Sequence, residues 1–573
     1  MPELRRVLSD RLRAAFDTLE PGADPVLRGS DRADFQANGA LALAKRLGRR
    51  PGDVAEQVVA TARLGDICSA VWVSGPGFVN LTLADRFVAE QVRAMAADER
   101  LGVALAVEPL TVVVDYSAPN VAKEMHVGHL RSTVIGDALV RMLEAVGHRV
   151  VRENHVGDWG TPFGMLIEHL VDLDSTGAGP QASIGDLDVF YRQARVSFEA
   201  DQGFRERSRR RVVLLQSGDP ATLALWRSLV DQSMAHFDEV YAKLGVLLDD
   251  GDVVGESFYD PMLDQVVADL QALGLLRDSD GARCVFPPGF TNRDGAPLPL
   301  IVQKSDGGYG YAATDLAAIR DRVDRLGAQR ILYVVGAPQA QHLQMCFAVA
   351  QMAGWLPSSV KVEHVAFGSV LGPDRKMFRS RSGDSVKLVD LLDDAVRRAA
   401  AAMAQRDGDL DDAERASVAT ALGVGAIKYA DLSTERTRDY VFDWDRMLAF
   451  EGDTGPYLQY AHARIRSIFR RGELAPPAPG TVPHLDHPAE RALAMALLGF
   501  AGAVDDAVDG AAPHRLCGYL YDLAATFTTF YETCPVLRAD DGVREGRLVL
   551  CDLTARVLAH GLALLGIQAP DRM

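Results

Sequence analysis

LTVVVDY (110–116), HVGHLRSTVIGDALVRMLEAVGH (126–148) and HRVVREN (148–154) follow one another closely in the chain and decide its fold. The first run has the uninterrupted apolar character of a buried strand, and the third has a shorter strand pattern. The second run repeats apolar residues at helical spacing, and its stripe comprises Leu130, Val134, Ala138, Leu139, Met142, Leu143 and Val146. A strand, a helix and a strand over so short a stretch predict a βαβ crossover, the half-unit of a doubly wound parallel sheet.

A second series of this kind appears in RILYVVGA (330–337), QHLQMCFAVAQMAGW (341–355) and KVEHVAFGSV (361–370). The parallel sheet is therefore expected to resume roughly two hundred residues after its first half. Two insertions separate the halves: 172–244 is polar and helical, and 257–308 has turn-rich strand signals.

The remaining parts of the chain predict two further domains. The first hundred residues read as helices followed by short strands around VWVSGPGFVNLTL, with Gly75, Pro76 and Gly77 in a turn. After Leu388 the pattern is helical almost to the end, apart from a proline-rich break at 475–483. We therefore predict a multidomain α/β protein. It has an α+β module at 1–105, a Rossmann-like domain with a doubly wound parallel sheet at 106–392, and an all-α domain at 393–573.

Composition restricts the class of protein. The 573 residues are 48% hydrophobic and 24% charged, which is typical of a soluble globular chain. The net charge of 61 − 78 = −17 opposes general nucleic-acid coating, so RERSRRR (205–211) and RIRSIFRR (464–471) either meet RNA locally or are solvated helix faces. Six cysteines without a CxxC pair predict reduced, mostly buried thiols and no metal site. The absence of a long apolar run or a signal-peptide pattern predicts a cytoplasmic protein with no membrane partner.

The motif His126-Val127-Gly128-His129 lies between the first predicted strand and its helix. The N-terminus of a helix carries unpaired N–H groups and partial positive charge, so it binds phosphates. Two histidines on either side of a glycine could contact a triphosphate there. A helix cap with incidental histidines and a metal-binding pair are the alternatives.

Longer segments carry a resemblance to a known family. DYSAPNVAKEMHVGHLRST (115–133) and NHVGDWGTPFGMLI (154–167) closely resemble the nucleotide-binding segment of arginyl-tRNA synthetases, with HVGH in place of the class I HIGH signature. The resemblance continues through segments 309–322, 333–345, 367–395 and 439–467. LCGYLYDLAATFTTFYETCPVL (516–537) and the terminal DRM resemble the helical DALR anticodon-binding domain of this family, in its bacterial form.

The resemblance implies a cytoplasmic, monomeric arginine–tRNA ligase. Such an enzyme activates L-arginine with ATP, accompanied by Mg²⁺, and transfers it to the 3′-terminal ribose of tRNA(Arg). It also implies that arginine activation requires bound tRNA, and that the 1–105 module contacts tRNA. A class I synthetase of different specificity, such as a cysteinyl or glutamyl enzyme, and a catalytically silent paralogue that binds tRNA or regulates other proteins remain the alternatives.

The catalytic and ATP-binding residues follow from the same resemblance. His126, Gly128 and His129 are expected to hold ATP, together with Lys376 and Arg379 of the segment KMFRSRSG (376–383). That segment is a degenerate form of the class I KMSKS loop, and the family assigns the missing positive charge to the lysine that matches Lys123. The implied catalytic set is Lys123, His126, His129 and Arg379.

The pocket for arginine can be argued partly from chemistry. A guanidinium carries five N–H donors and a permanent charge, so its pocket needs a carboxylate and further acceptors. Asp315 lies four residues after Tyr311, which is helical spacing, and Gln339 lies just past a strand end. By resemblance these three residues line the pocket, while Asp115, Ser117 and Asn120 hold the α-ammonium and carboxylate groups. The alternative makes Asp315 a helix-face carboxylate and Tyr311 a core aromatic.

The tRNA contacts are the least specific prediction. Single-stranded RNA is read by bases that stack on aromatic side chains and pair with polar groups. The candidates are Phe78 and Asn80 in the N-terminal turn, and Tyr457, Tyr460 and Arg464 on the first C-terminal helices. Aromatic residues at helical spacing are also common in protein cores, which is the alternative for these positions.

Overall fold

The computed structural model describes residues 4–175, 187–378, 386–404, 410–478 and 480–573. Its N-terminal module contains a four-stranded antiparallel sheet in the order β1-β2-β4-β3, flanked by helices. The sequence placed all of its strands after the helices, whereas two strands lie between the first and second helices. The elements are α1 (Leu4–Asp17), β1 (Leu27–Gly29), β2 (Phe35–Ala37), α2 (Gly39–Leu47), α3 (Pro51–Thr61), β3 (Cys68–Ser74), β4 (Phe78–Leu83) and α4 (Asp85–Ala96).

The central domain begins with the predicted crossover, in which β5 (Thr111–Asp115), α5 (Val127–Ala145) and β6 (Arg149–Glu153) follow one another. β5 and β6 pair in parallel, with Asp115 opposite Glu153. The second half of the sheet, described below, adds two more parallel strands and gives the order β11-β10-β5-β6. The predicted doubly wound parallel sheet is therefore confirmed.

Helix α5 is buried far beyond its apolar stripe. Arg131, Ser132, Thr133 and Asp137 are buried together with the predicted apolar residues, because helices of the C-terminal domain pack against α5 as well as the sheet. Close approach to the strand requires Gly136, since a Cβ at this position would lie 2.3 Å from the ring of Tyr116. The helix that carries HVGH is thus held from all sides.

The insertions between the halves of the sheet contain both helices and strands. The first is helical in its described part, as predicted, with α6 (Thr161–Ser175), α7 (Leu187–Ala200), α8 (Gln202–Gln216) and α9 (Pro220–Leu244). The second opens with helices, so the strand signals proposed for 257–308 apply only to its later part. It comprises α10 (Glu256–Tyr259), α11 (Leu263–Ala272), β7 (Arg277–Ser279), β8 (Ala282–Val285) and β9 (Leu300–Gln303).

The sheet then resumes after the helix that carries Tyr311 and Asp315, the residues predicted to line the arginine pocket. The elements are α12 (Tyr311–Asp324), β10 (Arg330–Tyr333), α13 (Ala340–Met352), β11 (Lys361–His364) and the short strand β12 (Val370–Leu371). β10 pairs with β5 so that Tyr333 lies opposite Asp115. Side chains at the carboxyl ends of these two strands, and at the helix N-termini beside them, therefore face one cleft.

The described residues after β12 are mainly helical, as predicted, and include one short strand, β13. The elements are α14 (Leu388–Met403), α15 (Asp412–Leu432), β13 (Tyr440–Val441), α16 (Trp444–Met447), α17 (Gly455–Arg471), α18 (Pro488–Leu497), α19 (Phe500–Asp509), α20 (Pro513–Thr533) and α21 (Asp541–Leu564). β13 pairs in parallel with β12, which joins the helical domain to the central one.

All six cysteines are free thiols in the structure, and all six are buried, as the sequence predicted. Within the described ranges, no helix combines the length and apolar character that a membrane span requires.

Candidate active site

The loop that joins β5 to α5 is strained and tightly held. Ser117, Ala118 and Ala122 have φ values of 69°, 48° and 60°, a left-handed conformation that costs a non-glycine residue about 1–3 kcal/mol. Hydrogen bonds hold this backbone: the Ser117 N–H donates to Ser132 Oγ (2.9 Å) and the Ala122 N–H donates to Ser233 Oγ (2.9 Å). Strain of this kind concentrates at functional sites, where surrounding contacts impose the backbone shape.

The two histidines of HVGH cap α5 reciprocally. The backbone N–H of Gly128 donates to His126 Nδ1 (3.0 Å), and the backbone N–H of His126 donates to His129 Nδ1 (3.1 Å). Their ring centroids lie 4.2 Å apart. A Cβ at position 128 would lie 2.6 Å from the His126 ring, so the glycine is needed to seat this imidazole. The predicted helix cap is therefore present, and it uses the Nδ1 atom of each ring.

These hydrogen bonds fix the tautomers of the neutral rings. Because each Nδ1 accepts a hydrogen bond, a neutral ring carries its proton on Nε2 and can donate it to an anion. Burial, together with the positive charges of His126 and Lys123, lowers the pKa of His129 to about 3. His129 is therefore neutral at physiological pH and acts as a hydrogen-bond donor without a charge.

The low pKa of His129 predicts a pH dependence of stability. The unfolded chain binds a proton at His129 near pH 6.5 while the folded protein does not, so stability is lost as pH falls from about 6.5 toward 3. We expect His129→Gln, which keeps a capping acceptor, to lose less stability between pH 7.5 and 5 than the wild type. Urea unfolding of both proteins at these two pH values measures the difference, and equal losses would contradict the buried neutral histidine.

The degenerate KMSKS segment lies only partly within the described residues. Lys376 is exposed at the tip of a hairpin in which Gly372 donates to the Lys376 carbonyl (2.7 Å), and the ring of Phe378 stacks on Phe442. Arg379 and the rest of the segment to Gly383 lie outside the described residues.

The chain that follows this segment returns to HVGH. The Val127 N–H donates to the carbonyl of Val386 (3.0 Å), and the Leu388 N–H donates to the carbonyl of Met125 (2.9 Å). The Nζ of Lys387 forms an ion pair with Glu124 (2.9 Å). Lys123, whose charge acts on the His129 ring, has its Nζ 4.6 Å from the centroid of the Tyr191 ring. The chain at 386–388, which follows the cationic segment, is thus held beside the helix N-terminus at which phosphates are expected.

Asp115 ends β5 and belongs to a buried ion cluster. Arg322 of α12 is fully buried, and it donates from Nη2 to Asp115 (2.7 Å) and from Nε to Glu153 (2.6 Å). The guanidinium also lies 4.9 Å from the centre of the Tyr333 ring. The second oxygen of Asp115 is buried and has no hydrogen-bond partner among the described residues. This oxygen can therefore accept a further hydrogen bond.

The other residues predicted for the α-ammonium and carboxylate groups lie just beyond. Ser117 Oγ is buried, within 2.8 Å of Tyr241 Oη, and accepts a hydrogen bond from Thr133. Asn120 is exposed and pairs through its backbone with Gly157. Asn120 is therefore accessible to solvent, whereas the Ser117 side chain is internal to the fold.

Asp315 and Tyr311 lie one turn apart on α12, as the spacing predicted. Asp315 is partly exposed and accepts or shares a hydrogen bond with His342 Nε2 of α13 at 2.5 Å. This contact raises the pKa of His342. Tyr311 is 76% exposed, so it is not a core aromatic. Gln339 is also exposed, in the turn between β10 and α13.

Glu256 is a further acidic residue near Asp315, and no sequence motif indicated it. Burial, together with the charges of Asp158 and Asp315, raises the pKa of Glu256 to about 7. A second carboxylate therefore lies close enough to Asp315 to repel it. In the sequence, the burial of Glu256 is indicated only by its position among the mostly apolar residues of VVGESFY (253–259). A bound guanidinium would relieve this repulsion, which makes the cleft suited to a cation.

The two N-terminal candidates for tRNA contact, Phe78 and Asn80, differ in their exposure to solvent. Phe78 is partly exposed at the start of β4. Asn80 is completely buried, and its amide accepts from Gln36 (2.8 Å) and donates to Ser74 Oγ (2.8 Å). Asn80 therefore ties neighbouring strands together and supports the turn from inside the module.

The C-terminal candidates share one side of α17. Tyr460 is 37% exposed, and Tyr457 lies 5.9 Å, between ring centres, from Tyr521 of α20. The guanidinium of Arg464 lies 4.6 Å from the centre of the Tyr531 ring, also on α20. This arrangement gives α17 and α20 a partly exposed surface of aromatic and cationic groups, on which RNA bases can stack.

Comparison with known proteins agrees with this geometry. Family models match three parts of the chain: the N-terminal domain of arginyl-tRNA synthetase at 2–83, the catalytic domain of class I tRNA synthetases (R) at 91–444, and the DALR anticodon-binding domain at 458–573. The chain is 54% identical to an arginine–tRNA ligase of Thermobifida fusca over 571 residues, covering 100% of this chain and 99% of that one. A second such ligase, from Frankia casuarinae, is 53% identical over 98% of this chain and 97% of its own length.

Solved structures give the same result. The arginyl-tRNA synthetase of Plasmodium falciparum superposes with a TM-score of 0.87 at 29% identity, and that of Thermus thermophilus with a TM-score of 0.80 at 26% identity. Both comparisons cover 100% of each chain. Similarity of this extent does not favour a class I enzyme of another specificity or a silent paralogue. The chain belongs to the arginyl-tRNA synthetase family and is a class I arginine–tRNA ligase.

Proposed function

We propose that arginine binds with its guanidinium at Asp315 and that ATP binds with its phosphates at the N-terminus of α5. The observation that carries this proposal is the shared edge of the sheet. β5 leads into the HVGH cap. Tyr333 lies opposite Asp115, the last residue of β5, and it is close enough to Asp115 and Asp315 for both charges to raise the pKa of its hydroxyl. The two substrates would therefore meet above the carboxyl ends of β5 and β10.

The guanidinium pocket is supported by its charge and its donors. Asp315 offers a carboxylate, Glu256 adds a second acid beside it, and Tyr311 is exposed one turn away. At the other end of the substrate, the unpaired oxygen of Asp115 would accept from the ammonium, with Ser117 and Asn120 beside it. An analogue without the matching donors would leave these polar groups unpaired, which supports discrimination of about 10⁴ without an editing step.

The first chemical step would be attack of the arginine carboxylate on the α-phosphate of ATP, which forms arginyl-adenylate and releases pyrophosphate. Catalysis of this step consists mainly of positioning and of stabilising charge on the phosphate oxygens. The Nε2–H groups of His126 and His129 would donate to these oxygens, and Lys123 would supply positive charge. Lys376 and Arg379 would approach the pyrophosphate from the degenerate KMSKS segment. Mg²⁺ would arrive with ATP as its counter-ion.

In the second step the 3′-terminal ribose hydroxyl of tRNA(Arg) would attack the carbonyl of the adenylate and release AMP. Phe78 would contact the tRNA from the N-terminal module, with Asn80 supporting its turn. Tyr457, Tyr460 and Arg464 would stack on bases of the anticodon loop. We propose that the enzyme acts as a monomer in the cytoplasm, where six buried reduced thiols are stable.

Aminoacylation of total tRNA with each of the twenty amino acids, with and without ATP, tests this proposal. Charging is expected with arginine alone and only when ATP is present. Efficient charging with a neutral amino acid would contradict the carboxylate pocket.

Replacement of His129 by alanine is expected to impair the use of ATP. The variant loses one neutral N–H donor to the phosphates, and loss of such a donor costs about 10²–10³ in rate. ATP–pyrophosphate exchange, measured with tRNA and arginine present, reports this step. Binding of tRNA, measured by filter retention, is expected to change little, and a selective loss of tRNA affinity would contradict the placement of His129.

A further inference from the structure

Three side chains of different chemistry converge beside the proposed guanidinium pocket. Asp315 lies on α12, while His342 and Cys346 lie one turn apart on α13. The His342 Nε2 lies 2.5 Å from an oxygen of Asp315 and 3.6 Å from Cys346 Sγ. One ligand atom from each residue lies within 4.8 Å of the other two.

We infer that Asp315, His342 and Cys346 form a binding site for a thiophilic divalent cation such as Zn²⁺, and that occupancy of this site excludes arginine. A carboxylate oxygen, an imidazole nitrogen and a thiolate are the ligand types that Zn²⁺ takes in proteins. Three protein ligands leave a fourth position open, which a water molecule can fill from the cleft.

The sulfur–nitrogen distance in this cluster already suits a tetrahedral ion. With Zn–S of about 2.3 Å and Zn–N of about 2.0–2.1 Å, a tetrahedral centre holds its sulfur and nitrogen ligands about 3.6 Å apart. The separation of Cys346 Sγ from His342 Nε2 already has this value. The contact between His342 and Asp315 must open by a little less than 1 Å, because a metal replaces the hydrogen bond between them. Both side chains are partly exposed, with 35% and 22% of their surface accessible, so they can make this adjustment.

The electrostatic surroundings favour a cation at this place. Asp315 is the charged group that acts on both His342 and Cys346, and Glu256 adds a further acid near Asp315. Zn²⁺ binds the thiolate form of cysteine, so the buried Cys346 thiol releases its proton to the solvent when the metal binds. Coordination takes the same Asp315 carboxylate that the guanidinium is proposed to use, and the two cations therefore cannot bind together. Only this competition rests on the proposed function.

Cobalt(II) is the probe for the site, because a cobalt–thiolate bond gives a charge-transfer absorption band. We expect one equivalent of Co²⁺ to give this band with the untagged full-length enzyme. The band is expected to be lost in Cys346→Ala and in His342→Gln. Cys534 provides the matched control: it is buried 3.3 Å from His487 Nδ1, and Cys534→Ala is expected to keep the band. Circular dichroism shows whether each variant is folded.

The competition has its own readouts. Arginine is expected to displace Co²⁺, and Zn²⁺ is expected to inhibit arginylation competitively with arginine. In Cys346→Ala the arginylation rate without added metal is expected to stay within two-fold of wild type, while the inhibitory Zn²⁺ concentration rises at least ten-fold. A missing band, or a band that persists in both folded variants, would overturn the metal site. A band that depends on Cys346 but resists arginine would overturn the competition and the placement of arginine at Asp315, and the metal site would stand.

Discussion

Replacing Asp315 by asparagine is expected to nearly abolish arginine-dependent activity. The guanidinium loses its counter-charge, and truncating one partner of a desolvated charge pair costs about 2–5 kcal/mol, which corresponds to a 30- to 4,000-fold fall in kcat/KM. The fold is expected to persist, because Asp315 is partly exposed and the asparagine oxygen can still accept from His342. Steady-state arginylation over a range of arginine concentrations measures the effect.

Asp324→Asn is the matched control, because it makes the same change on the same helix at an exposed position paired with Arg320. This variant is expected to charge tRNA at the wild-type rate. A normal KM for arginine in Asp315→Asn would remove Asp315 from the pocket.

Replacing Arg322 by methionine is expected to destabilise the central domain by about 3–5 kcal/mol. The change leaves Asp115 and Glu153 buried without a counter-charge, and both lie at the ends of neighbouring strands. Urea unfolding followed by circular dichroism measures this loss. Arginylation is expected to fall as well, since Arg322 holds the Asp115 carboxylate that we propose binds the substrate ammonium.

Two further variants show whether the Arg322 side chain stabilises the protein through its charge or through its packing. Arg93→Met removes a partly exposed ion pair with Glu90 and is expected to cost less than about 1 kcal/mol. Adding Glu153→Gln to Arg322→Met is expected to recover part of the lost stability, because it removes one uncompensated charge. If the second change only deepens the loss, packing of the arginine rather than its charge holds this cluster together.

Much of the fold could be predicted because its signals are local. The apolar run 110–116 and the helical spacing after HVGH lie within one βαβ unit, so the pattern predicts both elements and their parallel pairing. The strands of the N-terminal module were harder, because β1 and β2 have only three residues each and show no clear alternation. The helices α10 and α11 were missed because turn residues in the later part of the same insertion dominated its pattern.

The environment of α5 could not be predicted from periodicity. Arg131 pairs with Asp431, 300 residues away, in a contact buried from solvent on both sides. A helix whose polar residues are buried by such distant partners looks amphipathic in sequence. The same reason hides the Arg322 cluster, because its partner Glu153 lies 169 residues earlier in the chain.

The candidate site, like the fold, was predictable from the sequence only in part. Spacing placed Tyr311 and Asp315 on one helix face, and the HVGH motif at a helix N-terminus. The resemblance supplied the proposed roles of these residues. Neither approach indicated that Asn80 is internal, or that Glu256 and His342 lie near Asp315, because these contacts join separate elements of the fold.

A crystal structure with arginine and a non-hydrolysable ATP analogue tests the central claim most directly. We expect guanidinium nitrogens within hydrogen-bonding distance of the Asp315 carboxylate, with the phosphates against the imidazoles of His126 and His129. An arginine whose guanidinium lies away from Asp315, or phosphates bound far from the N-terminus of α5, would contradict it.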